Sequence, residues 1–128
     1  MARIVLDASA LIALLRDEPG AEFVADYLGD ALISAVNLQE VVKALLWRGI
    51  SMDVAREMID ALHLDIHPHD ASSAFAAASL WQATEKFGSG LGDRSCMALA
   101  IAEGLPAVTT DKAWAELAIT GLEVRLAR

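Results

Sequence analysis

Four acidic residues stand where their side chains could act together: Asp7, Glu40, Asp93 and Asp111. Asp7 ends the apolar run RIVL and precedes ASALIALL. Glu40 lies in SAVNLQEV, Asp93 in LGDRSCMALA and Asp111 in TTDKAW. Carboxylate oxygens are hard ligands, suited to Mg²⁺ or Mn²⁺, which bind through a few carboxylates, retained waters and substrate phosphate. A cation held this way acidifies a bound water and neutralises charge on a scissile phosphate, so the chemistry implied is phosphodiester hydrolysis. Each acid also has a local explanation. Asp7, Asp93 and Asp111 stand where helices begin and read as N-caps. Glu40 follows Asn37 by three residues, as in a capping box.

Hydropathy periods supply the elements that would position these residues. Residues 3–6 read as a buried strand and 8–15 as a helix. Pro19-Gly20 interrupts the chain before a short helix over 21–28. A strand over 31–35 leads into a helix over 36–47, whose Leu38, Val41, Val42, Leu45 and Leu46 form one apolar stripe ended by Gly49. Ser51 caps a helix running to about 62, and 64–66 is a short strand. Asp70 opens a long alanine-rich helix through 86, residues 88–92 form a flexible loop, and Asp93 opens the helix DRSCMALAIAE. A strand over 107–109, a helical turn over 112–117 and a strand over 123–126 complete the chain.

This alternation predicts an α/β sandwich around a mostly parallel sheet. In such a sheet the connecting helices run antiparallel to the strands, so helix starts collect at the carboxyl edge, where open α/β sheets bind ligands. All four acids are expected there.

Composition bounds the function. The 128 residues suit one domain, and a hydrophobic fraction of 55 % with mean hydropathy +0.42 excludes a disordered chain. No apolar run is long enough to span a bilayer, and Asp7 interrupts the apolar start, so a cytoplasmic protein without membrane attachment is expected. The single Cys96 has no partner for a disulfide and reads as packing. A net charge of −8 excludes a protein that coats nucleic acid by bulk electrostatics. An acidic chain acts on RNA only where bound cations reverse the local sign.

The four acidic words, in this order, resemble the motifs of the PIN-domain ribonucleases, and their flanking residues resemble VapC-type toxins of toxin–antitoxin pairs. The resemblance runs from residue 3 to about 117. It implies a three-layer α/β/α fold with a mostly parallel central sheet and an endoribonuclease that uses Mg²⁺ or Mn²⁺. It also implies single-stranded RNA as substrate, a cognate VapB-like antitoxin and a homodimer. Carried over by position, Asp7, Glu40, Asp93 and Asp111 are the catalytic, metal-site carboxylates, with Ser9 and Thr110 as flanking hydroxyls.

Lys43, Arg94 and Lys112 follow site acids by one to three residues and can meet RNA phosphates or serve as ordinary surface charge. His63, His67 and His69 cluster in sequence, but an extended exit at His67-Pro68-His69 splays them onto different faces. Trp47, Trp81 and Trp114 can stack bases, but core or subunit contacts are the favoured reading, and the small residues over 71–83 favour close helix packing. Two other functions compete. A non-catalytic PIN-like scaffold would only bind protein. A receiver-like phosphoryl-transfer module would need a phospho-acceptor Asp ending a middle strand, where this chain runs on to His67-Pro68.

Overall fold

The computed structural model describes residues 3–128. Five parallel strands, β1 (Ile4–Leu6), β2 (Ala31–Ser34), β3 (Asp65–His67), β4 (Ala107–Thr109) and β5 (Val124–Leu126), form one sheet in the order β3-β2-β1-β4-β5. The three central strands are buried along their whole length, as expected where helices cover both faces of a parallel sheet.

The two-residue period of each strand sorts its side chains into two cores. Ile4, Leu6, Ala31, Ile33 and Val108 enter one, with Leu11, Val24, Val41 and Ile59 from the helices α1 (Ala8–Leu15), α2 (Ala21–Ala25), α3 (Ala35–Trp47) and α4 (Met52–Asp60). Val5, Leu32 and Ala107 enter the other, with Cys96, Met97 and Ala100 of α7 (Leu91–Glu103) and with Trp114. Outside α7 packs α5 (Ala71–Ala78), and α6 (Trp81–Thr84) follows it in the chain. The architecture is therefore α/β/α, with the sheet wholly rather than mostly parallel.

Three local expectations change. The long helix over 70–86 breaks into α5, α6 and a 3-10 turn, Glu85–Phe87. The Ser79 hydroxyl donates to the Ala76 carbonyl (2.6 Å) and Thr84 to those of Leu80 and Trp81, and side chains that bond back to the backbone in this way bend helices. Asp93 does not open α7. The helix starts two residues earlier, and Asp93, in its first turn, accepts from the Gly90 N–H (3.1 Å). The second helix stops at Ala25 and hands over to turns before Gly29, whose φ is 96°. At Gly20, φ is 101° and a Cβ would lie 2.9 Å from the Ala127 carbonyl oxygen, so the break before α2 needs glycine. Among the described residues, no helix is long and apolar enough to cross a membrane.

Candidate metal centre at the carboxyl edge of the sheet

The chain steps from β1 to β2 and β3 on one side, then returns through α7 to β4 on the other side of β1. The strand order therefore reverses between β1 and β4, and the crevice beyond their carboxyl ends is where such sheets bind ligands. Asp7 leaves β1 at this point. Its backbone N–H continues the ladder to the Val108 carbonyl (2.9 Å), which brings residue 7 beside residue 109.

Asp7 occupies the N-cap position of α1, yet its side chain accepts no capping bond from the backbone of that helix. Instead Oδ2 accepts from the Ser9 hydroxyl (2.6 Å) and from the Thr109 hydroxyl (2.9 Å). Each hydroxyl has one proton, and both are spent on the same oxygen. Their acceptor sides are filled by the chain leaving β4: Thr110 N–H donates to Ser9 Oγ and Asp111 N–H to Thr109 Oγ1, both at 3.1 Å. This closed network fixes the carboxylate, while Oδ1 accepts no hydrogen bond among the described residues. Burial raises the Asp7 pKa to about 6. The two hydroxyl bonds oppose the shift, and the Asp93 and Glu40 charges add to it.

Glu40 projects from α3 toward α7. The helix is capped by Ser34, which accepts from Val36 N–H, so Asn37 is not a cap. It is fully buried, and its Nδ2 donates both to Glu40 Oε1 and to the Gly92 carbonyl oxygen, each at 2.9 Å. One amide thus ties the Glu40 carboxylate to the first turn of α7. The Glu40 carboxylate rests on the Gly92 Cα, in the space any Cβ there would fill. Burial raises the Glu40 pKa, the Asn37 bond lowers it, and Asp93 raises it again. The Asp93 pKa is also raised, chiefly by burial and further by Asp111; the Gly90 N–H and Arg94 oppose this.

Asp7, Glu40 and Asp93 line one pocket of about 580 Å³, together with Ala8, Ser9, Ile12 and Arg16 from α1 and its C-cap and Lys43, Ala44 and Trp47 from α3. Asp111 stands outside the pocket lining. It caps the turn Lys112–Glu116 through Ala113 N–H (3.0 Å), close enough to Asp93 to disfavour that residue's ionisation. The donor set is hard oxygen throughout, and like charges are held together at a buried edge, which fits a hard divalent cation. Among the described residues, no three Asp, Glu, His or Cys groups are drawn close enough to hold an ion by themselves.

The remaining candidates divide. Ser9 is at the site, and Lys43 lines the pocket. Thr110 contributes its backbone N–H, whereas the hydroxyl on Asp7 belongs to Thr109. Arg94 turns away, its Nη1 donating to the Ser89 carbonyl (2.7 Å) and its side chain lining a groove between α5 and α7. Lys112 lies outside the pocket lining. His67 sits 3.2 Å from Asp65 and 3.5 Å from Glu103, and His69 faces the grooves beside α5, so the histidines make no shared site. Cys96 is wholly buried, its pKa raised well above 9.0 by burial and then by the three acids; it is packing. Of the tryptophans only Trp114 is in the core. Trp81 is half-exposed and Trp47 is 85 % exposed on the pocket rim. Reasoning from sequence missed Thr109, Gly92 and Arg16 as site residues, noticed Asn37 only as a helix cap, and weighed Trp47 as a base-stacking residue but favoured a core or subunit contact for it.

Fold and site together define a parallel α/β domain with a carboxylate pocket at its strand-order reversal. The PIN domain model matches residues 4–119, and the chain belongs to the PIN domain family. Among solved structures, it is similar to DNA-bound VapBC from Salmonella typhimurium (TM-score 0.72, 17 % identity, all of both chains covered). It is also similar to VapBC-1 from nontypeable Haemophilus influenzae (0.71, 18 %, 97 % of each chain) and to a toxin–antitoxin complex from Klebsiella pneumoniae (0.71, 20 %, 93 % and 94 %). No curated protein matches the sequence.

Proposed function

We propose that this chain is a Mg²⁺- or Mn²⁺-dependent endoribonuclease and the toxin of a toxin–antitoxin pair. The observation that carries the catalytic reading is the convergence of Asp7, Glu40 and Asp93 on one pocket at the strand-order reversal, with all three pKa values raised. PIN domains are typically nucleases and generally metal-dependent. Asp7, Glu40 and Asp93 would hold the cation, with Asp111 adding negative charge from behind Asp93. When bound, the cation supplies charge neutralisation at the scissile phosphate and a more acidic water. The chain's own contribution is positional. Ser9 and Thr109 fix Asp7, Asn37 and the bare Gly92 Cα fix Glu40, and Gly90 N–H fixes Asp93. Lys43 offers a positive contact for substrate phosphate on the same face of α3 as Glu40.

The partner reading rests on the neighbours, whose structures include toxin–antitoxin complexes, and on uncovered apolar surface. Phe75, Trp81 and Leu91 are 80 %, 53 % and 77 % exposed around α5–α7, a face suited to a second copy of the chain. Leu38, Val42, Met52, Ile59 and Ile66 line a groove of α3 and α4 that an antitoxin segment would fill.

The test uses Asp7→Asn and Asp93→Asn, which preserve shape and capping ability. Wild type should cleave RNA, stop on chelation and resume with Mg²⁺ or Mn²⁺. The cation should raise its stability by about 2.7 kcal/mol at a hundredfold excess over the dissociation constant. Both variants should lose cleavage and most of that stabilisation. Cleavage by metal-free protein in excess EDTA, or wild-type behaviour of both variants, would refute the site.

A further inference from the structure

The pocket continues past its carboxylates. Along α3, Glu40, Lys43, Ala44 and Trp47 follow at i, i+3, i+4 and i+7 and so share one helical face; along α1, Ala8, Ile12 and Arg16 follow at steps of four. These two packed helices carry the pocket on the order of 10 Å from Glu40 to the last residue of α3. That residue, Trp47, keeps 85 % of its surface exposed although it lines a cavity. The lining holds two cations, Lys43 one turn before Trp47 on α3 and Arg16 at the end of α1. Among the described residues Lys43 has no carboxylate within ion-pair distance, and the nearest to Arg16 is Glu18 at 3.9 Å.

In a chain of net charge −8, two weakly partnered cations beside an open aromatic face select a ligand that is itself anionic and flat. A nucleotide meets both demands: phosphate oxygens pair with Lys or Arg, and every base has a π-face that stacks on an aromatic ring. An apolar protein helix would leave both cations buried without a counter-charge, which is costly. We propose that Trp47 is a stacking platform for one unpaired nucleobase beside the scissile bond, with Lys43 and Arg16 holding the adjoining phosphates. The inference rests on the ribonuclease reading and adds to it a subsite that takes a base only when it is splayed out of a helix. Stacking is tolerant of base identity, so the subsite selects for an unpaired nucleotide rather than for a letter.

The experiment uses full-length protein and a fluorescent single-stranded RNA ten-mer whose cleavage position has been mapped. A series of the same RNA carries an abasic nucleotide at each position in turn. Trp47→Ala should lower kcat/KM on intact RNA about tenfold or more, the loss expected when one base–aromatic stack is removed, while Trp47→Phe stays within about threefold of wild type. For wild type, one abasic position should reproduce the tenfold loss, and for Trp47→Ala that position should have no further effect. Anisotropy titration of the RNA in an Asp93→Asn background should show the same factor in Kd, separating binding from turnover. Because the side chain is exposed, melting should be unchanged. Equal cleavage and binding by Trp47→Ala and wild type would overturn the subsite while leaving the ribonuclease intact. The same result with loss of dimer or of antitoxin binding would reassign Trp47 to a protein contact. An inert wild type would overturn the ribonuclease reading and the subsite with it.

Discussion

Replacing Gly92 by alanine separates stability from function at this site. The backbone of Gly92 is helical, so alanine there gains up to about 1 kcal/mol of helix propensity. The added Cβ, however, occupies the place of the Glu40 carboxylate. That carboxylate is the free end of a flexible side chain and can swing into the pocket, so the clash is relieved by movement rather than by unfolding. The move breaks the Asn37–Glu40 bond, worth about 1.5–3 kcal/mol as a bond to a charged group. It also releases Glu40 from the burial that raises its pKa. These effects oppose one another and leave a net change of about 1 kcal/mol, a few degrees in Tm for a chain of this size. Cleavage should nevertheless fall to the level of Glu40→Ala. Rates for wild type, Gly92→Ala, Glu40→Ala and the double variant form a cycle. The double variant should be no slower than Glu40→Ala alone, because both changes empty the same position. Wild-type cleavage by Gly92→Ala, or losses that multiply in the double variant, would refute the account of how Glu40 is held.

Other perturbations test the Asp7 network. The folded pKa of about 6 lies above the ordinary 3.8, so the folded state holds its proton more tightly. The contribution of Asp7 is thus fully favourable below pH 4 and is lost as pH rises through 6, a change on the order of 3 kcal/mol. Metal-free stability of wild type should fall relative to Asp7→Asn across pH 4–6, and parallel curves would refute the shift. Thr109→Val removes a bond to a buried carboxylate and the acceptor for Asp111 N–H, costing about 2–4 kcal/mol in denaturant titration. It should also raise the Asp7 pKa further and shift the acid limb of the pH–rate profile upward. Thr110→Val, where only the backbone N–H serves, should stay within about 0.5 kcal/mol of wild type and keep its activity.

Much of the fold was legible because it is written in local patterns. The apolar runs read as strands over 3–6, 31–35 and 107–109 needed only to be short, continuous and bounded, and they fall within a residue of the buried strands at 4–6, 31–34 and 107–109; α1 has the bounds its periodicity predicts. The acids were legible for a related reason: each lies within a turn or two of a strand end or helix start, and in an alternating α/β chain those ends must gather at one edge. That rule sends all four acids to one edge; Asp7, Glu40 and Asp93 share a pocket there, and Asp111 lies outside its lining.

What holds those acids was decided by tertiary contacts between residues far apart in the chain. Thr109 rather than Thr110 bonds Asp7 because the β1–β4 register pairs Leu6 with Val108, a relation across a hundred residues. Asn37 looked like a cap, and a cap Asn bonds its own helix. With Ser34 already capping α3, Asn37 is free to reach the Gly92 carbonyl fifty-five residues away. Trp47 and Trp114 sit in similar apolar words, yet one is on the pocket rim and the other in the core. Periodicity says which face of an element is apolar, but only the packing of the other elements determines which faces are covered and which are left open to a ligand.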